Sequence, residues 1–191
     1  MNAVNFITLN ISEERLVVTC NETQIYSVRL WGADISLSPE ITLTELTTNL
    51  HHGPIGGLAV CSWKPVFMTT GEWDKTVRLW NIETESLELC KTYLEDVHGV
   101  ALHPTGIFAV VGFSDKLRFL TILMDDLLTM REFPVRNCKL CTFSKLGHLF
   151  AAANGNVIQV YSSISFEHMF NLKGHNGRVS SKNSLQNYSE W

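Results

Sequence analysis

Thr-Thr-Gly-Glu-Trp-Asp-Lys-Thr-Val-Arg-Leu-Trp-Asn, residues Thr69 to Asn81, is the stretch that decides the fold. Drawn extended, its last residues put Val77 and Leu79 on one side and Arg78 and Trp80 on the other, the period-two alternation of a strand. The run Val66-Phe67-Met68-Thr69-Thr70 before it is also β-prone, and Trp73-Asp74-Lys75 between the two supplies a polar tight turn. Together these residues predict a hairpin.

The hairpin recurs. Val77-Arg78-Leu79-Trp80 can be laid on Leu117-Arg118-Phe119-Leu120 and on Ile158-Gln159-Val160-Tyr161, at spacings of 40 and 41 residues. Such a period is that of a four-stranded propeller blade of about 40–45 residues. Each copy reads as strand, Pro or Gly turn, strand, tight polar turn, strand, loop, strand. The predicted architecture is all-β: four four-stranded antiparallel blades at about residues 1–50, 51–95, 96–135 and 136–173, with Gly174 to Val179 as the opening strand of another. In the first copy Asn5–Ile11, Leu16–Cys20 and Gln24–Leu30 read as strands. A Gly-, Ser- and Pro-containing insertion at Trp31–Pro39 precedes a strand-like Ile41–Thr44. Residues 180–191 are polar, lack alternation, and read as a disordered tail.

A chain of 191 residues that is 45% hydrophobic and 18% charged is an ordinary globular composition. The longest strongly apolar run, Gly106 to Phe113, falls far short of the roughly 20 residues that span a bilayer. Net charge of −4, with acids and bases dispersed, offers no basic stripe for nucleic acid and no polybasic patch for a membrane. The N-terminus lacks a signal-peptide pattern, so residence on the cytosolic side is expected. The sequons at Asn10, Asn21 and Asn187 are then expected to be unglycosylated and the five cysteines to be thiols.

No constellation of residues assembles into an active site, and no metal or cofactor is expected. Cys138-Lys139-Leu140-Cys141 has no second ligand pair to complete a zinc site, and on a strand its two sulfurs would diverge, which makes them small hydrophobes. Gly53-Pro54-Ile55-Gly56-Gly57 lacks the Lys-Ser/Thr of a phosphate-binding loop. Asp125, Asp126 and Glu132, like Glu83, Glu85 and Glu88, read as solvated outer faces rather than cation sites. His, Asp and Thr residues of the second copy sit in a hairpin turn and at a blade opening, a placement for structure rather than hydrolysis. Trp73, at a turn tip, is a candidate partner anchor.

The second copy resembles the blade signature of the WD-repeat family, with Trp80-Asn81 in the place of its Trp-Asp dipeptide. The resemblance implies a buried hydrogen-bonded set of His, Ser or Thr, Asp and Trp, for which the candidates are His51 or His52, Thr70, Asp74 and Trp80. In the third copy Asp115 keeps the turn, but Val111 and Leu120 stand where the hydroxyl and Trp would be. Residues His52 to His175, including Gly71–Asn81 and the run Gly112-Phe-Ser-Asp-Lys-Leu-Arg-Phe, are similar to the amino-terminal propeller of the cilia- and flagella-associated WD-repeat proteins. That likeness implies a non-enzymatic scaffold of the cytoplasm, cytoskeleton and ciliary axoneme, supporting inner dynein arms and ciliary motility. A cytosolic adaptor, such as a substrate receptor of a ubiquitin ligase, is the competing expectation.

Members of that group carry tandem propellers and long coiled coil, and a ring of about seven blades is expected of the family. About four blades without coiled coil read as a truncated or alternatively spliced product. Its end blades are expected to leave apolar faces uncovered and to self-associate through them.

Overall fold

A computed structural model describes residues 4–9, 15–20, 24–29, 44–45 and 51–179. The predicted insertion at 31–39, the first-blade turns, the sequons and the tail at 180–191 lie outside the described residues. The chain forms four antiparallel sheets, each with its strands in sequence order, and the described residues contain no helix.

The first sheet holds β1 (Val4–Leu9), β2 (Arg15–Cys20), β3 (Gln24–Arg29) and β4 (Thr44–Glu45). The second holds β5 (Ile55–Val60), β6 (Val66–Gly71), β7 (Thr76–Asn81) and β8 (Ser86–Thr92). The third comprises β9 (Val97–Leu102), β10 (Phe108–Phe113), β11 (Leu117–Ile122) and β12 (Leu127–Phe133). The fourth comprises β13 (Cys141–Phe143), β14 (Leu149–Asn154), β15 (Val157–Ser162) and β16 (His168–Lys173).

Alternation along the middle strands explains how the sheets stack. In β6 and β7, Met68, Val77 and Leu79 face the third sheet and join Val97, Val100, Val111 and Leu120 in one core. Phe67 and Trp80 point the other way, packing with Ile55, Leu58 and Val17 of the first sheet. The third sheet repeats this: Val110, Leu117 and Phe119 turn toward Phe143, Phe150 and Tyr161 of the fourth. The second and third sheets thus bury both faces against neighbours, and the first strands β1, β5, β9 and β13 adjoin one another in series, as inner strands of a radial array do. Among the described residues the array does not close on itself.

The repeat register is visible in an irregularity. Pairing of the third strand with the fourth slips between Leu79 and Trp80, between Phe119 and Leu120, and between Val160 and Tyr161. These positions recur at the spacings of 40 and 41 residues read from the sequence.

The segment Gly174–Val179 differs from the expected opening strand. It is not in a strand, and it touches the fourth sheet through Val179, whose N–H donates to the Gly155 carbonyl at 3.0 Å. The Val179 side chain is buried against Ala153, Ile158 and Val160.

Candidate functional site

The polar cluster of the second blade is assembled from three elements: the chain entering β5, the strand β6, and the β6–β7 turn with β7. His51 is buried, with Nδ1 at 2.9 Å from Asp74 Oδ2 and Nε2 at 2.7 Å from Thr69 Oγ1. The Trp80 indole donates to the same Thr69 oxygen at 2.8 Å. These contacts determine every proton. Indole N–H only donates, so Thr69 accepts from Trp80; the Asp74 carboxylate only accepts, so a neutral His51 ring carries its proton on Nδ1 and leaves Nε2 to the Thr69 O–H. His51 Nε2 is therefore an acceptor, and Nδ1–H donates to the carboxylate. The Trp80, Thr69, His51 and Asp74 bonds all run in one direction, across two strands, the segment entering β5 and a turn.

Asp74 is satisfied from several sides. Its Oδ2 also accepts from the His52 backbone N–H at 3.2 Å and from Arg78 Nη2 at 3.1 Å, while Oδ1 accepts from the Thr76 N–H at 3.2 Å. Burial works to raise its carboxyl, but the His51 bond, the Thr76 bond and the His52 amide outweigh burial and hold it well below the usual carboxylate range. Burial lowers the His51 imidazole, only partly opposed by Asp74, so the neutral ring is the form that fits the donor chain.

The structure brings His51, Asp74 and Trp80 together and resolves the His51 or His52 alternative. His51 contributes its ring, whereas the exposed His52 contributes only its backbone N–H. Thr70 is corrected to Thr69. Thr69 lies two residues from Phe67 and so on the same face of β6 as Phe67, which stacks on Trp80 with centroids 6.0 Å apart. Thr70 faces the other way and donates its hydroxyl hydrogen to the His98 carbonyl of the third blade. A one-residue choice on a strand switches the face, so Thr70 clamps two blades together instead of completing the set.

Sequence reasoning also missed Thr76, Arg78 and Gly71. Arg78 was legible in principle, four residues after Asp74 and reaching back over the turn. Gly71 matters for want of a side chain: a Cβ there would stand 1.9 Å from Asp74 Oδ1 and 2.4 Å from His51 Nδ1. Asn81, in the Trp-Asp position, accepts from the Glu83 and Thr84 N–H groups and so forms the turn into β8. Trp73 is 72% exposed and lies across Gly53, whose φ of 101° and absent Cβ leave room for the ring.

The third blade solves the same problem with other chemistry. Strand pairing matches Ile55↔Gly71 with Val97↔Phe113, which puts Phe113 in the place of Gly71 and Tyr93 in that of His51. The Tyr93 and Phe113 rings meet edge to face at 4.8 Å. The Arg118 guanidinium lies 4.2 Å from the Phe113 centroid and donates to Glu95 at 2.6 Å. Asp115 makes only ion contacts of 3.6 Å to Lys116 and Arg118.

One expectation about the cysteines is overturned. Cys138 and Cys141 share one core cluster rather than diverging, and a hydrogen bond between them, ahead of burial, pushes the Cys138 thiol up. The reason is local: β13 begins only at Cys141, so strand alternation does not apply between them. Among the described residues no group of three or more His, Cys, Asp or Glu side chains is placed to hold a metal ion, and no helix is long and apolar enough to cross a membrane.

The family model of the WD domain, G-beta repeat, matches residues 43–81, the segment that builds this cluster. Cilia- and flagella-associated protein 57 of Mus musculus is 44% identical over 170 residues, 89% of this chain and 14% of that protein. Cilia- and flagella-associated protein 57 A of Tetrahymena thermophila is 34% identical over 88% of this chain and 13% of its own length. The chain therefore spans about a seventh of the curated relatives it matches. Among solved structures, the β-propeller domain of Cps50 (Swd1) from Myceliophteria thermophila superposes with a TM-score of 0.75 at 12% identity, over 95% of this chain and 58% of that one, a likeness of fold alone. The chain thus has a β-propeller fold, carries a match to the WD domain, G-beta repeat at residues 43–81, and is similar over nearly nine-tenths of its length to proteins named cilia- and flagella-associated protein 57.

Proposed function

We propose that the chain is a non-enzymatic scaffold that binds other proteins in the ciliary axoneme, in the service of inner dynein arm assembly and ciliary motility. The observation that carries this reading is the 44% identity to a cilia- and flagella-associated relative across almost the whole chain. The polar cluster agrees with it. His51, the group in that cluster best suited to proton transfer, is buried with both ring nitrogens engaged by Asp74 and Thr69, an arrangement that ties strands together. Such a blade presents its turns to partners, and Trp73 is a rigid aromatic at one turn tip.

The test is localisation of the tagged chain in multiciliated cells, followed by proximity labelling. Signal along the axoneme with labelling of dynein-arm components supports the reading. A diffuse cytosolic signal with ubiquitin-ligase subunits as the labelled neighbours would replace it with a cytosolic adaptor.

A further inference from the structure

The two ends of the blades are chemically unlike. Successive antiparallel strands reverse direction, so turns β5–β6 and β7–β8 lie at one end of their blade and turn β6–β7 lies at the other with the link to β9. The same holds for the third and fourth blades. The end with the first-to-second and third-to-fourth strand turns carries Trp63, Ile107, Leu123, Met124, Leu146 and Ile164, between 44% and 99% exposed. The other end carries Trp73 and Leu94, set among the ion pairs Lys75–Asp96 and Lys139–Glu72.

The apolar turns form one stitched surface. The Trp63 N–H donates to the Pro104 carbonyl at 3.1 Å, joining the second and third blades. The His103 ring lies so close to Gly147 that a Cβ there would stand 2.1 Å from Nε2, and the Ser163 N–H donates to the His148 carbonyl, carrying the surface across the fourth blade. Two grooves open on it between neighbouring blades. One, of about 470 Å³, has Ile107, Leu123 and Met124 along one wall and Lys64 and Glu88 along the other. Its counterpart one blade on, of about 190 Å³, is lined by Phe108, Leu146, His148 and Ile164.

Charge on this end is sorted by radius. The inner turns, which follow the inner strands, carry Lys64 and Lys145, while the outer turns carry the exposed acids Glu83, Glu85, Asp125 and Glu167. An occupant must therefore bring apolar side chains for the grooves and positive charge for the outer rim.

The geometry points to this end of the blades as a docking surface for an amphipathic, Lys- or Arg-flanked segment of a partner protein, one apolar anchor entering each groove. The inference rests on the reading of the chain as an interaction scaffold, but not on the ciliary setting. A negative localisation leaves it standing, and its failure leaves the ciliary reading standing. Met124 at 99% exposure and Leu146 at 75% make few contacts of their own, so polar variants retain the fold.

The test is fluorescence anisotropy of the full chain with two labelled synthetic amphipathic peptides of equal length, one of Leu and Lys, the other of Leu and Glu. The Leu-Lys peptide is expected to bind at least about ten-fold more tightly than the Leu-Glu peptide, a difference of about 1.4 kcal/mol. Met124→Ser with Leu146→Ser is expected to weaken it about ten-fold or more at unchanged melting temperature, and Leu94→Ser, at the other end of the blades, to leave it unchanged. Glu83→Lys with Asp125→Lys is expected to reverse the peptide preference. Equal affinity for both peptides, or no loss in the Met124 and Leu146 double variant, would overturn the proposal. So would a dimer by light scattering that the double variant dissolves, since the occupant would then be a second copy.

Discussion

Replacing Thr69 and Thr70 in turn by Val separates two hydroxyls that are adjacent in sequence and opposite in role. Val keeps the β-branched shape, so the change is confined to the oxygen. At Thr69 that oxygen accepts from Trp80 at 2.8 Å and supplies the proton to His51 Nε2 at 2.7 Å. Thr69→Val leaves an indole N–H and an imidazole nitrogen buried with no substitute, and each such group costs about 1–3 kcal/mol. The expected loss is about 2–6 kcal/mol. Thr70→Val forfeits one hydroxyl bond to the His98 carbonyl, for a loss of about 1 kcal/mol. Urea unfolding followed by far-ultraviolet circular dichroism measures both, an unchanged m-value certifying that stability alone has moved. A Thr70→Val loss equal to or larger than that of Thr69→Val would refute the donor chain and the strand register on which it stands.

Gly71→Ala is expected to destabilise by about 2 kcal/mol or more, since the new methyl collides with Asp74 and His51, and chemical denaturation reads the loss. Asp74→Ala breaks bonds to His51, the His52 amide, Thr76 and Arg78, and Trp80→Ala empties a fully buried site. Each is expected to cost about 3 kcal/mol or more, against about 0.5 kcal/mol for Asp115→Ala, and the reverse order in melts would undo the alignment of the blades. Because burial depresses His51 in the folded state, its contribution is full above the ordinary imidazole value of 6.5 and is lost as pH falls below it. Asp74, also depressed, adds a second loss only below the ordinary carboxylate value of 3.8. The stability gap between the native chain and His51→Gln is accordingly expected to narrow from about pH 7.5 to about pH 5, and a gap that widens would contradict a neutral ring. Self-association through uncovered blade faces, with Met169 and Phe170 exposed on the last strand, predicts concentration-dependent mass in size-exclusion chromatography with light scattering. A compact monomer at all concentrations would argue against it.

Legibility followed the range of the interaction. The blade period was readable because strand alternation in Val77–Trp80, Leu117–Leu120 and Ile158–Tyr161 is written in each copy locally. The choice between Thr69 and Thr70 was not, since both are β-branched hydroxyl residues and only the pairing of β6 with β7 decides which shares a face with Trp80. The convergence of Cys138 and Cys141 depends on β13 beginning only at Cys141, a boundary that the residues Cys138-Lys139-Leu140-Cys141 do not mark. Tyr93 and Phe113 escaped notice as a pair because 20 residues and two strands separate them, although an aromatic in the place of Gly71 was a sign that the polar set had been displaced. The grooves between blades belong to no single copy, and a period read along the chain does not reveal them.

The exchange of Gly71 for Phe113 sets a limit on how such a chain diverges. The polar set needs an empty volume at that position, and the aromatic set needs it full, so neither tolerates the other's residue. A blade passing from one to the other by single steps meets either a collision with His51 and Asp74 or a void beside Tyr93. The two chemistries are therefore separate basins for a repeat. Each blade, once committed, drifts within its own basin while the stacking of neighbours goes on unchanged.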